Sequence, residues 1–214
     1  WTLVLLFLCS VTALAGCFWL TDGRLPALLA GLLVLFSPTL YWTVSLVSPH
    51  GMYVLWCLVS LFLMAKAIAT KKEVFFLSSA AAVAFAFATL EYAFLLLICW
   101  IICVIVVFRS DRAAFLHPWR FAIRSLSVFA VVIAVLWPAG ILKLSLVKGY
   151  IFLAYFVIVR GSIYTTIPLL TFWWNRIMDS PVEYFVIVLG AVLSLYTVLR
   201  KHYTVLIPFV VYMA

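Results

Sequence analysis

The chain has 214 residues, of which 69% are hydrophobic and 9% are charged, and its formal net charge is +8. A soluble domain has about half apolar and about a quarter charged residues, so this composition excludes a soluble globular fold. Within a bilayer, every backbone N–H and C=O must be paired inside the protein, which leaves helical bundles or closed barrels. The apolar runs are long and continuous, without the alternation of barrel strands, and therefore predict an all-α, polytopic transmembrane helical bundle.

We predict about eight membrane segments in a single transmembrane domain over residues 1–214. In chain order they are Leu3–Leu20, Pro26–Phe36, Met52–Ala69, Val74–Leu90, Tyr92–Phe108, Phe121–Leu142, Val182–Leu199 and a segment that begins near Thr204. The run 74–108 is divided because one helix of that length would span about 52 Å, whereas the bilayer core is about 30 Å thick. The chain starts without Met and ends inside an apolar run, so we expect a fragment truncated at both ends.

The segment between the second and third predicted helices is the most informative part of the chain. Ser37-Pro38 interrupts the apolar pattern, Tyr41-Trp42 follows, and Ser48-Pro49 interrupts the pattern again before His50-Gly51. Most membrane helices are joined by a short turn, whereas this interruption is proline-bounded and rich in aromatic residues. We therefore predict that residues 37–51 line a site at the membrane surface.

The distribution of charge predicts the orientation of the bundle. In the eight-segment layout, ten of the fourteen Lys and Arg residues fall on one side, and the positive-inside rule makes that side cytoplasmic. The ten are Arg24, Lys66, Lys71, Lys72, Arg109, Arg112, Arg120, Arg124, Arg200 and Lys201. Residues 37–51, Glu91 and residues 143–181 then lie on the extracytoplasmic side. Because the cations are spread over short loops, they fit anionic lipid headgroups better than nucleic acid.

Two residues on the predicted extracytoplasmic side are candidates for catalysis. His50 begins the third helix after Pro49, where an imidazole can bind a phosphate, act as a base or ligate a metal, or simply cap the helix at the interface. Glu91 lies inside a long apolar run, where a carboxylate must reach water or a polar cavity. A role in catalysis and a position in the turn between two predicted helices both explain a carboxylate at Glu91.

Three cations on the same side run against the overall charge bias. Lys143, Lys148 and Arg160 would suit a lipid phosphate or pyrophosphate, although Lys and Arg at helix ends also extend to the interface without any ligand. Asp179 and Glu183 flank the start of the seventh helix, where the helix dipole is sufficient to explain them.

The cysteines do not predict a metal site. Cys99 and Cys103 share a helix face, but two thiols alone do not complete a tetrahedral zinc site. We expect them to be small apolar side chains inside helices.

Two patterns in the first half of the chain resemble a known enzyme family. The first pattern starts with a helix, Leu28–Phe36, which is followed by Ser37-Pro38 and the aromatic pair Tyr41-Trp42. It continues with a second Ser-Pro, in Ser48-Pro49-His50, and a long helix whose basic end is Lys66–Lys72. In the second, a helix of small residues runs into Thr89-Leu90-Glu91-Tyr92. In these patterns residues 1–110 resemble the GT-C glycosyltransferases, especially protein O-mannosyltransferases and bacterial lipid A aminoarabinose transferases.

This resemblance implies a membrane enzyme of a prokaryotic plasma membrane, with its active site facing the extracytoplasmic side. It would transfer a sugar from a polyprenyl-phosphate donor to a protein, lipid or glycan acceptor. A base would deprotonate the acceptor hydroxyl, and Lys143, Lys148 and Arg160 would hold the donor phosphate. The cofactor is left open, with a divalent metal as one option, and no metal ligands are assigned.

The chain departs from the family pattern at two places. His50 stands where the family usually has an acid after the proline. The family's catalytic acid lies in the loop after its first helix, and the order of segments aligns the start of this chain with the second. We therefore expect the catalytic acid upstream of Trp1 and assign no catalytic residue beyond the candidates His50 and Glu91.

Two other classes of function remain open. A transporter or flippase would have discontinuous helices and a polar site near the middle of the membrane, for which Glu91 is the candidate. A non-catalytic membrane scaffold subunit is compatible with His50 in place of the acid.

Overall fold

The structure is a computed structural model that describes residues 2–45, 50–89, 93–110, 118–138, 148–149, 151–152, 155, 174–175, 177–201 and 206–213. Within these ranges the regular elements are all helical, and no strand occurs. The helices are α1 (Thr2–Thr21), α2 (Arg24–Leu35), α3 (Pro38–Ser45), α4 (His50–Thr70), α5 (Glu73–Thr89), α6 (Ala93–Ser110), α7 (Pro118–Leu136), α8 (Pro181–Lys201) and α9 (Ile207–Met213). The all-α prediction is confirmed for this part of the chain.

Several of these helices are suited to a bilayer. Helices α1 and α4 are long and apolar enough to cross a membrane, and α2 and α3 together form a third candidate span that bends by 51° at its break. The shorter apolar stretches are Glu73–Thr89, Leu95–Ile105, Ile123–Leu136 and Pro181–Tyr196. The described helices are consistent with a helical membrane protein and include two or three candidate spans of full length. The full set of eight membrane segments stays a prediction from the sequence.

The predicted helix boundaries agree closely with the structure as far as α6. The division of the 74–108 run into two helices, α5 and α6, is also present. The main difference lies in the sixth segment, which was predicted to extend to Leu142, whereas α7 ends at Leu136. Pro138 accounts for this end, because a proline lacks the N–H donor and disfavours helical geometry at Trp137 before it.

The interior lies where α4, α5 and α6 pack together. Small side chains on α5 allow close approach, which matters because lipid provides little hydrophobic force between helices. The buried cluster consists of Cys57, Leu61, Met64, Val83, Ala86, Ala93, Leu96, Cys99 and Cys103. Cys99 and Cys103 therefore lie among apolar side chains.

Buried polar atoms in this interior are mostly paired. The indole N–H of Trp100 donates to Ser79 Oγ at 2.8 Å, and the Ser79 hydroxyl donates to the Phe76 carbonyl at 2.7 Å. Between α1 and α2, the buried hydroxyl of Ser10 donates to the Gly31 carbonyl at 2.8 Å. These bonds satisfy groups that would be costly to leave unpaired in hydrocarbon.

Contacts between helix ends show which of them lie together at each of the two ends of the bundle. At one end, Lys66 Nζ donates to the Trp19 carbonyl at 2.8 Å, and Arg124 pairs with Glu73 at 2.9 Å. We call this the basic end; it joins the last turns of α1 and α4 to the first turns of α5 and α7. The grouping of these helix ends is the one that the eight-segment layout requires.

The opposite end gathers α3 with the first turns of α1, α4 and α8, and we call it the Glu183 end. A Cβ atom at Gly51, in the first turn of α4, would lie 3.0 Å from Leu5 of α1 and 3.4 Å from Val44 of α3. Glu183 of α8 contacts Ser37 and Thr39 at the start of α3. Residues 37–45, residues 50–51 and the start of the seventh predicted helix therefore lie at the same end, and residues 46–49 lie outside the described residues.

Candidate functional site

The Ser37-Pro38 interruption is a bend between two helices. Helix α2 ends at Leu35 and α3 begins at Pro38, so the predicted break contains a short helix. Ser37 caps α3, because its Oγ accepts the Leu40 N–H at 3.0 Å and its carbonyl accepts the Tyr41 N–H at 2.9 Å. Pro38 has no N–H to satisfy, and its fixed φ suits the first helical position.

Glu183 completes this cap from α8, far away in the sequence. Its carboxylate accepts the Ser37 hydroxyl, the Thr39 hydroxyl at 2.7 Å and the Thr39 N–H at 3.2 Å. Together with the bonds to Ser37, these contacts satisfy every N–H in the first turn of α3. The negative charge also lies at the positive end of the α3 dipole. Glu183 therefore holds the bend of α2–α3 against the start of α8.

Helices α3 and α8 start with the same sequence pattern. Ser180-Pro181 precedes α8 as Ser37-Pro38 precedes α3, and the Tyr184 N–H bonds the Ser180 carbonyl at 3.2 Å. Glu183 lies three residues after Ser180, the spacing at which a Glu commonly bonds back to its own helix start. Its side chain instead bonds across to α3. The expected position of Glu183 in the first turn of its helix is present, and the second role was not predictable from that position.

A cavity of about 830 Å³ lies beside this contact, between α2, α4 and α8. Most of its walls are apolar, and its polar lining is confined to one end, formed by Ser37, Asp179, Ser180 and Glu183. Among the described residues no Lys or Arg lines it. The apolar walls come from Leu29, Leu32, Leu33, Val34, Phe36, Leu40, Val54, Leu58, Val182, Val186 and Ile187.

Of the five residues predicted from the sequence, the two that the structure describes, His50 and Lys148, do not line this cavity. His50 is the first residue of α4 at the Glu183 end and is half-buried, but it does not line the cavity. Lys148 is exposed in a short helical pair and is also absent from the lining. Glu91, Lys143 and Arg160 lie outside the described residues. The structure therefore adds Glu183, Ser37 and Thr39 as the connected polar group at this end.

Metal ligands do not cluster in the part of the chain that the structure describes. No group of three or more His, Cys, Asp or Glu side chains is placed to hold an ion there. The polar chemistry of this part is that of carboxylates and hydroxyls at helix starts.

Comparison with protein-family models, curated proteins and solved structures finds no match to this chain. The resemblance to GT-C glycosyltransferases stays a prediction from the sequence.

Proposed function

We propose that the chain is part of an integral membrane glycosyltransferase that moves a sugar from a polyprenyl-phosphate donor to an extracytoplasmic acceptor. The observation that supports this function is the cavity beside Glu183, which is apolar along its length and polar only at one end. Binding sites for amphipathic ligands have this arrangement, with apolar walls and a few convergent polar groups, and volumes of about 300–1,000 Å³. A transferase that uses lipid-linked substrates requires such a site.

The proposed reaction is an inverting displacement at the anomeric carbon of the donor sugar. A base removes the proton of the acceptor hydroxyl, the hydroxyl oxygen bonds the anomeric carbon, and the bond from that carbon to the phosphate oxygen breaks. The polyprenyl phosphate leaves with the bonding electrons, and Lys143, Lys148 and Arg160 stabilise its charge. Asp179 is exposed and lines the polar end of the cavity, so its carboxylate is available to contact an acceptor hydroxyl.

Glu183 has a positioning role in this proposal. Its oxygens already accept bonds from Ser37 and Thr39, so its charge serves to hold the bend that shapes the cavity. Positioning matters for the rate because a displacement of about 1 Å in a catalytic group can lower activity about a hundredfold.

The proposed orientation places the Glu183 end outside a prokaryotic plasma membrane, within a bundle of about eight spans. Charge supports it, because the basic end carries Lys66, Lys71 and Lys72 near its ion pair. In intact cells that produce the protein, Asp179→Cys should react with a membrane-impermeant maleimide and Lys72→Cys should not. Both wild-type side chains are exposed, so equal accessibility within the protein makes them a matched pair. The reverse labelling pattern contradicts the orientation.

A reconstituted transfer assay tests the activity itself. The full-length protein in proteoliposomes should transfer label from a polyprenyl-phosphate sugar, and none from the corresponding nucleotide sugar. Lys148→Ala should raise KM for the donor, whereas Lys71→Ala at the basic end should leave it unchanged. Failure with every polyprenyl-phosphate sugar supplied together with membrane-extract acceptors contradicts the proposal.

A transporter or flippase is the second candidate, and the 51° bend between α2 and α3 favours it. Transporters build substrate sites from discontinuous helices of this kind. The same proteoliposomes separate the two functions. Movement of a labelled polyprenyl-phosphate sugar across the bilayer without formation of a glycosylated product identifies a flippase, whereas product formation identifies a transferase.

A further inference from the structure

The walls of the cavity beside Glu183 continue onto the outer surface of the bundle. Leu33 of α2 is 58% exposed and Val182 of α8 is 75% exposed, although both line the cavity. In a bilayer, apolar surface of this kind is covered by hydrocarbon rather than water. The cavity is therefore open to the lipid phase between α2 and α8.

The polar end of the cavity lies where helices end. Ser37 lies two residues after the end of α2, and Ser180 precedes the first residue of α8. Helix ends lie near the boundary between the hydrocarbon core and the headgroups. A ligand that matches both the apolar walls and the polar end of the cavity has hydrocarbon chains along α2 and α8 and a polar headgroup at Ser37 and Ser180.

The charge at the polar end selects the headgroup. The described lining contains the carboxylates of Asp179 and Glu183 and no Lys or Arg, so a phosphate would be repelled by the charged groups that the structure describes there. Glu183 is occupied by Ser37 and Thr39, which leaves Asp179 and the Ser180 hydroxyl to bind the ligand. A carboxylate and a hydroxyl bind a neutral, hydroxyl-bearing headgroup well.

We propose that this cavity binds the sugar acceptor and that the acceptor is a membrane lipid with an uncharged, hydroxyl-bearing headgroup. The proposal rests on the proposed transferase function and names the acceptor class for the same site. The hydroxyl of the lipid lies beside Asp179, its chains lie along α2 and α8, and the anionic donor approaches from outside the described lining. Headgroup charge and chain burial thus both determine which lipid enters.

Photolabelling tests lipid binding without requiring transfer. The full-length protein is placed in phosphatidylcholine nanodiscs that contain either a photoactivatable diacylglycerol or a photoactivatable phosphatidic acid with the same chains. We expect the diacylglycerol to label peptides from α2 and α8 about tenfold more than the phosphatidic acid, the preference that like charge at the headgroup predicts. Equal labelling by the two lipids overturns the proposal.

Two matched variants localise the labelling. Val186→Trp fills the cavity and should reduce diacylglycerol labelling at least about fivefold, since Val186 lines the apolar wall. Val131→Trp, at an exposed apolar position of α7 outside the lining, should leave labelling unchanged. Leu33→Trp repeats the test from the opposite wall, and elution of each variant at the wild-type position in size-exclusion chromatography reports folding. Unchanged labelling in both cavity variants overturns the proposal.

A charge reversal tests the selection by headgroup. Asp179→Lys leaves the Glu183 contacts in place and should shift labelling toward phosphatidic acid, so an unchanged ratio contradicts the charge argument. The outcomes also distinguish failure of the lipid-acceptor proposal from failure of the transferase proposal. Sugar transfer to another acceptor without diacylglycerol labelling overturns the lipid acceptor and leaves the transferase. Diacylglycerol labelling without transfer from any donor overturns both the transferase and the acceptor role.

Discussion

The two ends of the bundle use the same side chain in different ways. At the basic end, Glu73 lies in the first turn of α5 and pairs with Arg124, and both side chains are more than one third exposed. At the other end, Glu183 lies in the first turn of α8 and binds three neutral donors at the start of a different helix. A carboxylate in a first turn is therefore a weak signal by itself, because its partner decides whether it stabilises a surface or holds a bend.

The energetic consequence follows from the partners. An exposed ion pair contributes about 0–1 kcal/mol, since water and salt screen both charges. Removal of an acceptor from partly buried donors costs about 1–3 kcal/mol, because the donors lose their partner away from water. We therefore expect the Glu183 end to be the more sensitive of the two ends to loss of a carboxylate.

The largest effect on stability should come from Glu183→Ala. The change leaves the Thr39 N–H and the two hydroxyls without their acceptor, and we expect a loss of about 2 kcal/mol in the free energy of unfolding. Reversible unfolding in mixed detergent micelles, followed by circular dichroism, measures it. Glu73→Ala is the matched control and should cost less than about 1 kcal/mol. Equal losses of unfolding free energy in the two variants would contradict the claim that the Glu183 end is more sensitive to loss of a carboxylate.

A comparable loss should follow a packing change nearer the basic end. A Cβ at Gly16 of α1 would overlap the ring of Phe62 in α4, so Gly16→Ala must displace that ring. Overpacking of this kind costs about 1–3 kcal/mol, measured by the same unfolding transition. At the Glu183 end, Gly51→Ala meets the flexible end of Leu5 at 3.0 Å and should cost less. A larger loss for Gly51→Ala shows that tight packing is instead concentrated at the Glu183 end.

A smaller effect is expected from Ser37→Ala, which removes the cap of α3. Loss of an N-cap costs about 1 kcal/mol. Because Ser37 also donates to Glu183, the double variant with Glu183→Ala should lose less than the sum of the single variants. Ser45→Ala is the control on the same helix, since its hydroxyl bonds only the Trp42 carbonyl among the described contacts. Additive losses for Ser37 and Glu183 contradict a shared network.

The smallest effect should be that of Arg124→Ala, which breaks the ion pair with Glu73. We expect less than about 1 kcal/mol at low ionic strength and almost nothing at about 1 M salt. The loss caused by Glu183→Ala should not decrease with salt, because the donors to Glu183 are neutral. A strong salt dependence at Glu183 shows that it has an ionic partner instead.

The sequence predicted most of the described helices, whereas it did not predict the contacts of Glu183 with Ser37 and Thr39. Proline, glycine and charged residues bound the apolar runs, so the helices as far as α6 begin and end close to their expected positions. Residues 37–51 were predicted as an interruption between two helices, and α3 within it was not predicted, although Ser37-Pro38 is itself a helix-start signal.

The partner of that helix start could not be predicted from the sequence. Glu183 is separated from Ser37 by 146 positions, and nothing in either local pattern names the other. The dipole of α8 is by itself sufficient to explain a carboxylate at position 183, so the local sequence carries no sign of a second partner. His50 and Lys148 were chosen by residue type and side of the membrane, which do not specify whether a side chain lines a cavity.

The central claim is that the Glu183 end shapes the site of sugar transfer, and the rate of transfer by carboxylate variants tests it most directly. Initial rates per folded molecule are compared for wild type, Glu183→Ala and Glu73→Ala in proteoliposomes with one polyprenyl-phosphate sugar. We expect Glu183→Ala to lower the rate at least about tenfold, because the bend beside the cavity is released. Glu73→Ala should stay within about twofold of wild type. Equal rates for the two variants, or a larger loss for Glu73→Ala, contradict the claim.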